Sequence, residues 1–215
     1  MIPFGPHAGQ PLLRSGPPVD KAANAVIAIH GRGANASDII SIAKTLKVPD
    51  TAWLAPEAAA HTWYPYSFLN PVEQNQPFLD SAISIVGGLL QHLQDSGMPL
   101  ERAVLLGFSQ GACLASEFVA RYPRRYGGVV IFSGGLIGEQ IDPASFQGSL
   151  EQTPIFGGCS DSDPHIPLER FEVTGEILGT LGGAVDFRVY PGMGHTINIE
   201  ELTAARDLIA QLGGA

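Results

Sequence analysis

The chain is predicted to be an α/β protein with a mostly parallel sheet covered by helices on both faces, and three observations lead there. Continuous apolar runs of strand length alternate with helix-period segments through most of the 215 residues. Charged residues make up only 15% against 45% hydrophobic, which suits strands buried on two sides. The pentapeptide Gly107-Phe108-Ser109-Gln110-Gly111 sits where one apolar run ends and a helical run begins. With 26 glycines in the chain the pattern alone is weak, but a serine on a tight strand-to-helix turn is the usual way to expose a nucleophilic hydroxyl.

The elements follow in order. Residues 1–20, rich in Gly and Pro, read as an extended arm or small hairpin leading into one domain over 1–215. Ala25–Ile29 is a buried parallel strand, and Ser37-Asp38 is an N-cap signal for a helix bearing Ile39, Ile40, Ala43 and Leu46. Ala52–Ala55 is a short strand closed by Pro56. Phe78, Leu79, Ala82, Ile83, Val86, Leu89, Leu90 and Leu93 mark the longest helix, 77–95. Strand 103–106 and helix 112–120 flank Ser109, and Gly128–Phe132, Pro154–Phe156 and Val185–Val189 read as further strands. A helix over 168–180 precedes the last of these. The final helix opens at Asn198, with Glu201 three residues on and Leu202, Ala205, Ile209 and Leu212 behind it.

Composition also excludes. A formal charge of -9 with 12 scattered basic residues offers no cationic face for nucleic acid. No apolar stretch reaches the ~18 residues of a membrane span, and the N-terminus lacks a secretory signal pattern, so a cytoplasmic protein without stable membrane insertion is expected. Two cysteines, Cys113 and Cys159, read as small buried thiols rather than a disulfide framework or a zinc site. The low charge density leaves room for lipid contact or a homodimer.

In parallel sheets the ligand site lies beyond the carboxyl ends of the strands, where His30-Gly31-Arg32-Gly33, Ser109, Asp161 to His165 and Gly192-Met193-Gly194-His195 fall. A serine needs a base, and the base needs a carboxylate to fix its tautomer. Ser109, then Asp163, then His195 supply them in the order nucleophile, acid, histidine. Asp161 competes with Asp163, but the Asp163-Pro164-His165-Ile166-Pro167 context favours the latter. Asp161, Asp163 and His165 as metal ligands would lack the glycine and distal Glu of a calcium loop, so neither metal nor cofactor is expected. The backbone N–H groups of Gln110 and Arg32 are candidate oxyanion donors. The aromatic loop 63–68 reads either as the wall of an apolar acyl pocket or as packing; on the first reading Trp63 and Tyr64 are candidate substrate contacts, Trp63 foremost.

Together these segments resemble the phospholipase/carboxylesterase family of α/β-hydrolases, which includes bacterial carboxylesterases and the acyl-protein thioesterases. The resemblance covers residue 25 to the end. It implies an α/β-hydrolase fold with no large cap domain, a Ser109–Asp163–His195 triad, and oxyanion N–H groups from Arg32 and Gln110. Two positions depart from the family pattern: Trp63-Tyr64 is followed by Pro65 rather than an aspartate, and Gly157-Gly158-Cys159 lacks the histidine that often precedes the acidic loop. The expected activity is hydrolysis of small-molecule carboxylic esters of short or medium chain length. Lysophospholipids, acyl thioesters and a dienelactone hydrolase-like reaction are the alternatives. A binding protein that had lost catalysis would be expected to lack a triad member, and all three are present.

Overall fold

In the computed structural model, which describes residues 2–214, seven strands form one sheet. They are β1 (Leu12–Ser15), β2 (Asn24–Ile29), β3 (Thr51–Pro56), β4 (Ala103–Phe108), β5 (Gly128–Phe132), β6 (Pro154–Ser160) and β7 (Ala184–Tyr190), in spatial order β1-β3-β2-β4-β5-β6-β7. Only the β1–β3 pair is antiparallel. Five helices cover the sheet: α1 (Ala36–Leu46), α2 (Phe78–Asp95), α3 (Gln110–Arg121), α4 (Leu168–Thr180) and α5 (Ile199–Gln211).

The continuous apolar strands divide their side chains between two cores, as alternation along a strand requires. Ile27, Ile29, Leu54, Leu105 and Ile131 join α2, α3 and α4 on one face. Val26, Ala28, Val104, Leu106 and Val130 join α1 and α5 on the other. This is the α/β-hydrolase architecture.

Three expectations need correction. The N-terminal arm does not fold as a hairpin on itself; Leu12–Ser15 adds antiparallel to β3, with Leu12 opposite Pro56 and Ser15 opposite Trp53. The cap of α1 is Asn35, not Ser37-Asp38: its side chain accepts from Asp38 N–H while the Asp38 carboxylate accepts from Asn35 N–H, closing a capping box. Strand β6 continues four residues past Phe156. Gly157 and Gly158 interrupt the apolar pattern because side chains press on the strand there: a Cβ at 157 would lie 2.6 Å from the Phe187 ring, and one at 158 would collide with the Glu201 carboxyl.

Register then places the site. Phe108 lies opposite Phe132, Phe132 opposite Gly158 and Ser160 opposite Tyr190, so the loops leaving these strands emerge along one rim.

Candidate active site

Ser109 follows β4 directly and caps α3 with φ 55 and ψ -120, a left-handed conformation that a side chain adopts only when its surroundings impose it. Its own N–H donates to Phe132 O at 2.9 Å. The flanking glycines are what let strand and helix close so tightly. A Cβ on Gly107 would run into the Gly111 backbone, and one on Gly111 into the Ile29 carbonyl. Gly31, on the neighbouring loop, would carry a Cβ 3.3 Å from that of Ser109, so the loop after β2 also approaches the hydroxyl closely.

The loops after β6 and β7 bring the other two residues to it. His195 Nε2 lies 2.9 Å from Ser109 Oγ, and His195 Nδ1 lies 2.7 Å from Asp163 Oδ2. A carboxylate only accepts, so Nδ1 carries the proton and Nε2 is the acceptor toward the serine hydroxyl. The second Asp163 oxygen accepts from the N–H groups of His165 (2.8 Å) and Ile166 (3.1 Å). Burial alone would push the Asp163 carboxyl up, but hydrogen bonds from His195 and these two amides outweigh it and hold its pKa below the ordinary aspartate value. The imidazole is also packed: the Phe108 ring stands 4.9 Å from it and the His165 ring 4.8 Å, edge to face.

Asp161 does a different job. Its Oδ1 accepts from Gly192 N–H at 2.8 Å, and Ser160 Oγ accepts from Gly194 N–H at 3.0 Å. The two residues at the end of β6 thus moor the backbone of the loop that presents His195. Sequence reasoning did not find Ser160, whose only signal is its place at a strand end.

Gln110 begins α3, so its N–H has no intrahelical acceptor; no acceptor for it or for Arg32 N–H is found among the described residues. Both side chains grip the aromatic loop. Gln110 Oε1 accepts from Trp63 N–H and its Nε2 donates to Tyr64 O, each at 2.8 Å. The Arg32 guanidinium donates to Pro65 O (2.8 Å) and Tyr66 O.

The cleft above Ser109 has a volume of about 480 Å³ and is lined by Tyr64, Phe68, Phe108, Cys113 and Ile166, among others. Trp63 is not among the lining residues, which corrects its reading as the foremost substrate contact. It is wholly buried, with its indole N–H donating to His30 O at 2.9 Å. An indole needs a partner once buried, and the loop supplies one below the cleft rather than in it. His30 and His7 are structural as well. His30 Nδ1 bonds Gly31 O and its Nε2 accepts from Ala58 N–H; His7 Nε2 bonds Trp63 O and its Nδ1 accepts from Ala59 N–H. Burial lowers the pKa of both rings.

The family model for phospholipase/carboxylesterase matches residues 16–212. The chain belongs to that family. A phospholipase/carboxylesterase crystal structure from Dyadobacter fermentans is 43% identical, covers 96% of this chain and 98% of its own, and superposes with a TM-score of 0.91. Acyl-protein thioesterase 1 of Debaryomyces hansenii is 29% identical over 93% of this chain and 95% of the relative. Acyl-protein thioesterase 1 of Neurospora crassa is 32% identical over 57% of this chain, which spans about half (51%) of that relative's length. The chain is therefore a hydrolase of the carboxylesterase and acyl-protein thioesterase type.

Just beyond the histidine loop, the first turn of α5 carries a buried acid that lies against Gly158 of β6. Glu201 has no exposed surface; its Oε2 accepts from Asn198 N–H at 2.7 Å, and Oε1 has no partner among the described residues. Burial raises its pKa from 4.5 to about 7. The folded state thus favours the protonated acid, a contribution that is complete below the unfolded pKa and lost as pH rises through the folded one. Wild-type stability should fall from pH ~5 to ~8 by on the order of 3 kcal/mol from this group. Glu201→Gln keeps the acceptor for Asn198 and should flatten the fall in urea unfolding; equal losses in both proteins would refute the assignment. Cys113 and Cys159 are both buried free thiols with pKa values pushed by burial to about 12. Neither is primed as a nucleophile.

No helix among the described residues is long and apolar enough to cross a membrane.

Proposed function

We propose that this chain is a serine carboxylesterase that hydrolyses short- to medium-chain carboxylic esters through an acyl-enzyme on Ser109. The observation that carries the reading is the unbroken hydrogen-bond chain from Ser109 Oγ through His195 to the Asp163 carboxylate, at the base of an apolar cleft. Ser109 Oγ attacks the ester carbonyl as His195 Nε2 takes its proton. Asp163 holds the imidazole in the productive tautomer and stabilises the imidazolium. The oxyanion is met by the N–H groups of Gln110 and Arg32, each such donor being worth about 2.7–4 kcal/mol of barrier stabilisation in comparable sites. The imidazolium returns its proton to the departing alkoxide. Water, deprotonated by the same histidine, then cleaves the acyl-enzyme and restores the serine.

Tyr64 serves as a substrate contact, because it lines the cleft beside Phe68 and Cys113. A volume near 480 Å³ suits small ligands. The acyl-thioester alternative is favoured by the names of the fungal relatives, and assays separate the two. A fluorophosphonate probe is expected to label Ser109 alone, as read by mass spectrometry of the peptide. p-Nitrophenyl esters of graded length should give their highest kcat/KM at short or medium chains, above matched acyl thioesters. Failure to label Ser109 would end the hydrolase reading, and a thioester preference would replace its substrate.

A further inference from the structure

The chain carries a net charge of -9, yet the described lining of its cleft holds one arginine and no acid. Among the described residues that line it there is no Asp or Glu, while Arg32, His165 and His195 all do. The Asp163 side chain is fully buried and paired with His195, and Glu117, near Tyr64 and Cys113, is buried and paired with Arg121. Arg32 and His165 stand on opposite sides of the nucleophile, because Arg32 follows β2 and His165 follows β6 while Ser109 follows β4 between them.

Both groups are held in place. Arg32 is fixed by Pro65 O and Tyr66 O and lies 5.9 Å from the Tyr64 ring. Two of its N–H donors are used in this way, and the rest of the fork has no protein partner among the described residues. Carbonyl dipoles orient the guanidinium without neutralising its charge. His165 is fixed by its own N–H to Asp163 Oδ1 and by edge-to-face packing on His195. Neither of its ring nitrogens has a hydrogen-bond partner among the described residues, so the imidazole can offer an N–H donor to whatever enters the cleft.

We infer that the preferred substrates are esters that carry a second, ionised carboxylate, held by the Arg32 guanidinium on one side of Ser109 or the His165 imidazole on the other. This rests on the esterase reading and specifies its substrate class. Arg32 is exposed at the cleft, so its charge attracts an anionic substrate most strongly at low salt. The fork geometry of arginine also matches a carboxylate better than a point charge would. The apolar lining then takes the carbon chain between the anion and the scissile carbonyl.

The test compares matched pairs. Mono-p-nitrophenyl glutarate against p-nitrophenyl valerate places the charge on the acyl arm; 4-carboxyphenyl butyrate against phenyl butyrate places it on the alcohol arm. At low salt the anionic member of at least one pair should have a kcat/KM about 10-fold or more above its neutral partner, and the advantage should shrink at high salt. In that pair, Arg32→Gln or His165→Gln should lower the anionic-to-neutral ratio, and the pair affected identifies which side holds the carboxylate. Where Arg32 holds the carboxylate, Arg32→Lys keeps the charge but loses the fork and the two-carbonyl grip, so it should lower turnover of both members and leave a ratio between those of the unaltered protein and Arg32→Gln. Neutral esters equal or preferred in both pairs, or a preference insensitive to salt and to both Gln variants, would overturn the inference and leave the esterase reading intact. If no ester is turned over and the fluorophosphonate leaves Ser109 unlabelled, both fall together.

Discussion

Asp163→Asn is expected to lower kcat on a p-nitrophenyl ester by about 10⁴-fold, whereas Asp161→Asn should change it by less than about tenfold. The two aspartates are separated by one residue, and what distinguishes them is the atom each meets. Asp163 Oδ2 accepts from His195 Nδ1 at 2.7 Å. An asparagine amide there would present N–H to that nitrogen and drive the ring proton to Nε2, where it blocks removal of the serine proton. Asp161 Oδ1 accepts from the backbone N–H of Gly192, and an asparagine carbonyl oxygen can do the same. Fluorescence or circular dichroism would establish that both variants are folded, and single-turnover acylation would measure the rate. Should the ranking reverse, the acid of the triad has been misassigned.

Gly111→Ala should destabilise the fold by about 3 kcal/mol or more. The added carbon would meet the carbonyls of Ile29 and His30, backbone atoms of β2 and its loop that cannot swing aside as a side-chain end can. Gly179→Ala is the matched control. It lies near the end of α4, where a Cβ meets only Val185 Cγ2 at 3.9 Å. Alanine there should stabilise by about 0.5 kcal/mol through helix propensity and a less free unfolded chain. Urea midpoints of the two variants should therefore move in opposite directions. An unchanged midpoint for Gly111→Ala would mean that strand and helix do not approach as closely as described.

Most of the sheet was legible because its strands are buried on both faces and so read as unbroken apolar runs. β2, β4 and β5 are of this kind, and so is the long periodic helix α2. The exceptions have specific causes. β1 is an edge strand with partly exposed residues, and its identity depends on pairing with β3, far away in the sequence. The extension of β6 was hidden by glycines whose reason lies in Phe187 and Glu201, residues of later elements. Within the site, Ser109, Asp163 and His195 could be singled out because each follows a strand in the order that the chemistry needs. The mooring by Ser160 and Asp161 could not, since it depends on which backbone amide each oxygen reaches. Trp63 illustrates the same limit: an aromatic in a loop near the cleft gives no sign of which way it turns, and the His30 carbonyl decides it.

The double use of Gln110 and Arg32 bears on how this enzyme can be altered. In the proposed mechanism each offers its main chain to the reacting oxygen, while its side chain holds the stretch from Trp63 to Tyr66. Every amino acid except proline retains the amide, so exchanging either side chain leaves the electrophilic donors chemically present and instead loosens the wall against which a substrate rests. Libraries aimed at new specificity through the 63–66 segment must therefore vary positions 32 and 110 with it. Such replacements would report on fit and placement, and say little about charge stabilisation during the reaction.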